Sequence, residues 1–105
     1  MTEREGPSYD LLEVQYLVRL GRTWLSPEVQ RTMRRDDLDL RALNDELLIL
    51  KASDFHKTML SESDGSSMLD VYRPFRGGQR LYLKFKLTDA RDRVFVLSFK
   101  KDTSR

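Results

Sequence analysis

The side chains best equipped for chemistry lie near the C-terminal end, where basic and aromatic residues alternate with apolar ones. Arg80, Tyr82, Lys84 and Lys86 interleave with Leu81, Leu83, Phe85 and Leu87, and further on Val96, Ser98 and Lys100 interleave with Phe95, Leu97 and Phe99. A period of two belongs to a strand buried on one face. The pattern therefore predicts a sheet with one apolar face and one face carrying cations and a tyrosine. Cations neutralise phosphate, and an aromatic ring stacks on a base or hydrogen-bonds to it, which is the equipment of a single-stranded RNA surface. Arg73 and Arg76 are candidate phosphate clamps. His56 is the single histidine of the chain, and an imidazole can give or take a proton near neutral pH.

Other chemistries are poorly served. With no cysteine and one histidine, neither a disulfide framework nor a zinc or haem site of ordinary ligand type can be built, so no metal or cofactor is expected. Asp36, Asp37 and Asp39 are close together, but the glycine hinge and terminal glutamate of a calcium loop do not follow, and they read as caps and solvated charge. No apolar run reaches 18 residues and no charged-then-apolar leader opens the chain. The expectation is a cytoplasmic protein with no membrane segment. Charge is polarised: residues 1–69 hold nine Lys/Arg against thirteen Asp/Glu, while residues 70–105 hold ten against four. A basic strand half suits an anionic partner. A DNA-binding role is disfavoured, because no helix-turn-helix pattern stands out and the cations lie on strands.

The elements that must position these residues can be read from periodicity. The 105 residues suit one domain, 1–105, with 1–7 and 102–105 as flexible tails. Ser8 is a candidate cap for a helix through Leu11, Leu12, Val14, Leu17, Val18 and Leu20, with Gly21 as its left-handed stop. Ser26-Pro27-Glu28 opens a second helix ending near Arg34-Arg35, and Leu40, Leu43, Leu47 and Leu50 step as a third. Ser53 would cap a short helical turn carrying His56, Lys57 and Met59. Adjacent residues on such a turn diverge by about 100°, so His56 and Lys57 would not share a target. Trp24, between helices, reads as packing, and Tyr72 as core. Residues 68–75, 80–87 and 93–101 then read as an antiparallel meander, so the fold class is α+β, with N-terminal helices packed on one face of a C-terminal antiparallel sheet. A three-residue loop at 89–91 would set Phe85 against Phe95, Leu83 against Leu97 and Tyr82 against Ser98, with Lys100 diagonal to Tyr82 at about 7–8 Å.

The second half also resembles a known family. Leu50, Ser53-Asp54-Phe55, Lys57, Met59, Ser63-Asp64, Asp70-Val71-Tyr72-Arg73-Pro74, Tyr82-Leu83-Lys84, Val96 and Ser98-Phe99-Lys100 look like the motility quorum-sensing regulator (MqsR) family of ribonuclease toxins from type II toxin–antitoxin modules. The resemblance implies a RelE-like fold and a metal-independent endoribonuclease that cuts mRNA at a GCU-like site and is inhibited by a cognate, MqsA-like antitoxin. Carried over position by position, it implies catalytic roles for Lys57, Tyr82 and Lys100. The family's glutamine before the Asp-Val-Tyr-Arg-Pro string is Leu69 here, which opens an alternative: a weakened, RNA-binding or regulatory member. On the first reading the 2′-hydroxyl attacks the neighbouring phosphorus, Tyr82 orients or deprotonates it, and Lys57 and Lys100 stabilise the phosphorane and supply the leaving-group proton. Arg73, Arg76, Arg80, Lys84 and His56 are the expected RNA contacts.

Overall fold

A computed structural model describes residues 6–103; expectations for residues 1–5 and 104–105 fall outside the described residues. Three helices precede most of the sheet: α1 (Leu11–Arg19), α2 (Pro27–Arg35) and α3 (Leu40–Ile49). Each starts where a side-chain oxygen takes up a free backbone N–H. Asp10, not Ser8, caps α1 by accepting from Leu12; Ser26 accepts from Val29 at α2, with Pro27 in the first turn; Asp39 accepts from Ala42 at α3. Gly21 follows α1 with φ 76°, a left-handed conformation that costs a residue without a Cβ nothing. No helix among the described residues is long and apolar enough to cross a membrane.

The strands are β1 (Thr23–Leu25), β2 (Phe55–Leu60), β3 (Met68–Tyr72), β4 (Phe75–Arg76), β5 (Gln79–Leu87) and β6 (Val94–Lys101). They form a sheet in the order β1-β6-β5-β3-β2, with β4 paired to β5. The class is α+β as expected, with one change: β1 runs parallel to β6, so the sheet is mixed. Three residues between two helices carry too little periodicity to announce a strand, and this one exists because β6 offers it an edge.

A second correction concerns residues 53–60. The short turn is confined to Ala52–Asp54, and His56, Lys57 and Met59 lie on β2, paired antiparallel with β3. Phe55, Thr58 and Leu60 oppose Tyr72, Asp70 and Met68, so the segment buries one side as a strand does. A bulge between Phe55 and Lys57 places His56 as the extra residue, and strand alternation replaces the expected 100° divergence.

The core lies between the helices and one sheet face. It gathers Val14, Leu17 and Val18 of α1, Val29 and Met33 of α2, Leu43 and Leu47 of α3, and Leu81, Leu83, Phe85 and Leu87 of β5. Tyr72 is buried as expected and stacks on Phe85 with centroids 5.5 Å apart. From β6 the core takes Val94, Val96 and Phe99, whereas the sequence expectation was Phe95, Leu97 and Phe99. The cause is register. A wider hairpin sets Leu87 opposite Val94 and Phe85 opposite Val96, then a bulge shifts the ladder so that Leu83 opposes Phe99 and Tyr82 opposes Lys100.

Candidate active site

The sheet face opposite the core carries the candidate residues. Residues directly opposite on neighbouring strands point to the same side, so the ladder pairs order that face into rows. One row runs Lys100, Tyr82 and then the end of β3 at Arg73; the next runs Ser98, Lys84, Val71 and Lys57. The expected residues Lys57, Tyr82 and Lys100 therefore share a face, but Lys57 stands apart from the Tyr82–Lys100 pair. Taking strands ~4.8 Å apart and ~3.3 Å per residue, the α-carbon of Lys57 lies ~12 Å from that of Tyr82 and ~16 Å from that of Lys100. A phosphate lying over Val71 and Tyr82 falls between them, within reach of long side chains bent over the face.

Tyr82 is the centre of the arrangement. Lys100 places its ammonium 5.3 Å from the ring centroid, a cation–π contact across the pair. Arg73 lies on its other flank and donates from Nε to the Asp102 carboxylate at 2.7 Å. Asp102, assigned by sequence to the trailing tail, is thereby part of the site's frame, and its backbone N–H donates to the Arg80 carbonyl at 2.8 Å. Burial pushes the Tyr82 phenol above its ordinary pKa, the Asp102 charge adds to this, and Arg73 opposes it. A phenol held neutral is a hydrogen-bond donor and a poor base.

The remaining expected RNA contacts divide into engaged and available groups. Arg76 is committed to structure: Nη2 donates to Asp54 at 3.1 Å, and Nε lies 2.9 Å from Glu46 Oε1 without the alignment of a hydrogen bond. Arg80 is exposed, donates to the Arg73 carbonyl at 2.8 Å and sits 5.1 Å over the Phe75 ring. His56 is exposed at the bulge beside Lys57. Lys84 lies diagonal to Lys100, and the two line a cavity of about 230 Å³ whose far wall is Glu28, Val29 and Thr32 of α2. Sequence reasoning missed Glu28 and Thr32, since nothing in their spacing tells which strand a helix start will face.

A family model described as "Motility quorum-sensing regulator, toxin of MqsA" matches residues 6–101. The chain belongs to this family. A relative from Escherichia coli (strain K12), the mRNA interferase toxin MqsR, is 31% identical over 99 residues, covering 94% of this chain and 98% of the relative. Within the MqsR family's expected site, Leu69 is the departure. It is 4% exposed and paired with Met59 on β2, one register step along the sheet from Val71. It brings an apolar side chain to a position where the family resemblance implies an amide.

Proposed function

We propose that the chain is a toxin endoribonuclease that cuts mRNA without a metal, at a GCU-like sequence, and is silenced by a cognate antitoxin protein. The observation that carries this is the row Lys100–Tyr82–Arg73 on the sheet face opposite the core, with Lys57 one row away, in a chain of the MqsR family. The name of the Escherichia coli relative, mRNA interferase toxin, supports the same reaction class.

The chemistry is transesterification. The 2′-oxygen bonds to phosphorus, the bond from phosphorus to the 5′-oxygen breaks, and the products are a 2′,3′-cyclic phosphate and a free 5′-hydroxyl. Negative charge builds on the non-bridging oxygens, where Lys100 and Arg73 supply preorganised compensation. Tyr82 donates a hydrogen bond that orients the nucleophile; its upward-shifted pKa argues against a phenolate base. Lys57 approaches from the opposite edge and protonates the leaving 5′-oxygen, while the proton of the 2′-hydroxyl passes to water. Lys84 and Arg80 hold flanking phosphates.

Leu69 supports a second reading, in which the chain binds RNA but cuts it slowly, because a buried leucine donates no hydrogen bond. One experiment separates the two. Wild type and the variants Lys57→Ala, Tyr82→Ala and Lys100→Ala are incubated with synthetic RNA containing GCU, with EDTA and with Mg²⁺. Cutting by wild type under both conditions, lost in the variants, supports the nuclease. Intact RNA throughout favours the second reading, and full activity in all three variants refutes the site.

A further inference from the structure

Trp24 is the only tryptophan of the chain, and the turn between helices in which the sequence placed it is a strand. It is 51% exposed, too open for the packing role expected of it. Its pairing partner on β6 is Phe95, and Phe95 opposes Lys86 on β5. All three therefore stand on the face that carries Tyr82 and Lys100. The rings of Trp24 and Phe95 are 4.6 Å apart at 48°, and the Lys86 ammonium lies 6.0 Å from the Phe95 centroid while donating to the Ser67 hydroxyl. On its other side Trp24 borders a cavity of about 330 Å³ lined by Gly21, Arg22, Thr23 and Arg93. Arg22 and Arg93 are exposed, and their guanidinium groups make no hydrogen bond or ion pair among the described residues. The nearby carboxylate, Asp92, accepts from the Thr88 hydroxyl at 2.8 Å, and that bond, with the charges of Arg93 and Arg22, holds it below the usual carboxylate range.

We propose that Trp24, seated on Phe95 and flanked by Arg22 and Arg93, is a stacking subsite for a base of single-stranded RNA, displaced along the sheet from the point of cleavage. The proposal rests on the nuclease reading and adds a substrate-positioning residue to it. An exposed indole held in place by a second ring offers a flat face without losing conformational freedom on binding, and the two cations beside it match the phosphates on either side of a stacked base. Trp24 also borders a cavity of about 360 Å³ lined by Leu25, Met33, Leu38 and Leu40, but on the side of Arg22 and Arg93 its surround is cationic, which suits a phosphate chain. Counting from Phe95 to Lys100 with the bulge removed, the subsite lies ~13 Å along the strand from the Tyr82–Lys100 pair. A short extended oligonucleotide spans that distance; a dinucleotide does not.

The sole tryptophan is also the probe. A mixed-sequence single-stranded RNA, 2′-O-methylated throughout so that it cannot be cut, is titrated into the full chain while Trp24 emission and RNA fluorescence polarisation are followed together. The proposal expects emission to be quenched in step with binding. It expects Trp24→Ala to weaken binding roughly 5- to 150-fold, the range for one lost base–aromatic stack, and Trp24→Phe to recover most of it. Removing Arg22 and Arg93 together should flatten the dependence of log affinity on log salt by about 0.7 per lost phosphate contact. In cleavage assays Trp24→Ala should raise KM for a long GCU-containing substrate with kcat little changed. Unaltered emission at saturating RNA overturns the proposal, as does full affinity in a folded Trp24→Ala chain. Quenching by the antitoxin alone overturns it too, and reassigns the patch to protein docking. The nuclease reading is judged separately, by whether Lys57→Ala, Tyr82→Ala and Lys100→Ala abolish cutting.

Discussion

Replacing Tyr82 by Phe isolates one hydroxyl. No hydrogen bond to that hydroxyl is formed within the described residues, so deleting it leaves no donor or acceptor stranded, and a partly exposed site of this kind changes stability by less than about 0.5 kcal/mol. The ring that receives Lys100 at 5.3 Å is kept. What disappears is a bond made only once RNA is present. A hydrogen bond to a charged partner is worth about 1.5–3 kcal/mol, and if it strengthens as charge develops, the loss appears in kcat as roughly a 10- to 150-fold decrease with KM little changed. The assay is single-turnover cleavage of a GCU-containing oligoribonucleotide in EDTA, alongside a thermal melt. The pH profile adds a second check. The folded phenol titrates above the usual value of 10.0, so its contribution is present across the neutral range and is lost only as pH rises beyond that value. A Tyr82→Phe chain that cuts at the wild-type rate refutes the assignment, and so does a wild-type rate that climbs towards pH 10 as Tyr82 ionises, since that is the behaviour of a phenolate base.

Three other substitutions test neighbouring parts. Leu69→Gln restores the amide implied by the family resemblance; if that amide touches RNA, cleavage should rise several-fold, and an unchanged or reduced rate would show that this chain has compensated elsewhere. Asp70, buried, accepts from the backbone N–H groups of Ser8 at 2.9 Å and Tyr9 at 3.0 Å, so Asp70→Ala should cost about 1–3 kcal/mol by stranding those donors, read as a lower denaturation midpoint. Burial raises the Asp70 pKa, so the folded chain holds its proton to higher pH than the unfolded one; for this group stability is greatest below the unfolded pKa and declines as pH rises through the raised one. Arg76→Ala should leave the Glu46 carboxyl, already pushed up by burial and held down by Arg76, without its counter-charge. The melt should fall most at neutral pH and recover as acidification lets Glu46 take up a proton; equal losses at neutral and acid pH would sink that account.

The parts of this fold that were legible in the sequence are those set by local chemistry. Ser26-Pro27, Asp39 and Gly21 mark helix ends by hydrogen bonds and φ angles that depend on immediate neighbours, and each does what its residue type predicts. The shared face of Tyr82, Lys84 and Lys100 followed from a period of two that a strand cannot evade. What was not legible depended on a partner. β2 took the form of a strand because β3 was there to pair with it, and His56, Lys57 and Met59 carry no local signal strong enough to exclude the turn. β1 is three residues long and owes its existence to the edge of β6. The commitment of Arg76 to Glu46 and Asp54 required α3 and the turn after it to meet β4, a juxtaposition no spacing reveals.

The bulge in β6 explains how one strand serves both sides of the sheet. Strict alternation would put Phe95, Leu97 and Phe99 on one face, and Val96, Ser98 and Lys100 on the other. The core would then hold two phenylalanines from β6, and that strand would bring no aromatic to the face of the lysines. The extra residue between the Phe85–Val96 and Lys84–Ser98 pairs changes the phase midway. On the near side of it Val94 and Val96 point inward and Phe95 outward; on the far side Phe99 points inward and Ser98 and Lys100 outward. The small valines fit beneath α1 and α2, and the outward face gains Phe95 as a seat for Trp24 together with Lys100 as the partner of Tyr82. Deleting Leu97 should therefore leave both faces in place: Val96 is then followed directly by Ser98, and the pairs Phe85–Val96, Lys84–Ser98, Leu83–Phe99 and Tyr82–Lys100 run without a break. A folded chain with Leu97 removed that lost its cleavage rate would contradict this account, because the deletion takes away only the residue that the ladder leaves unpaired.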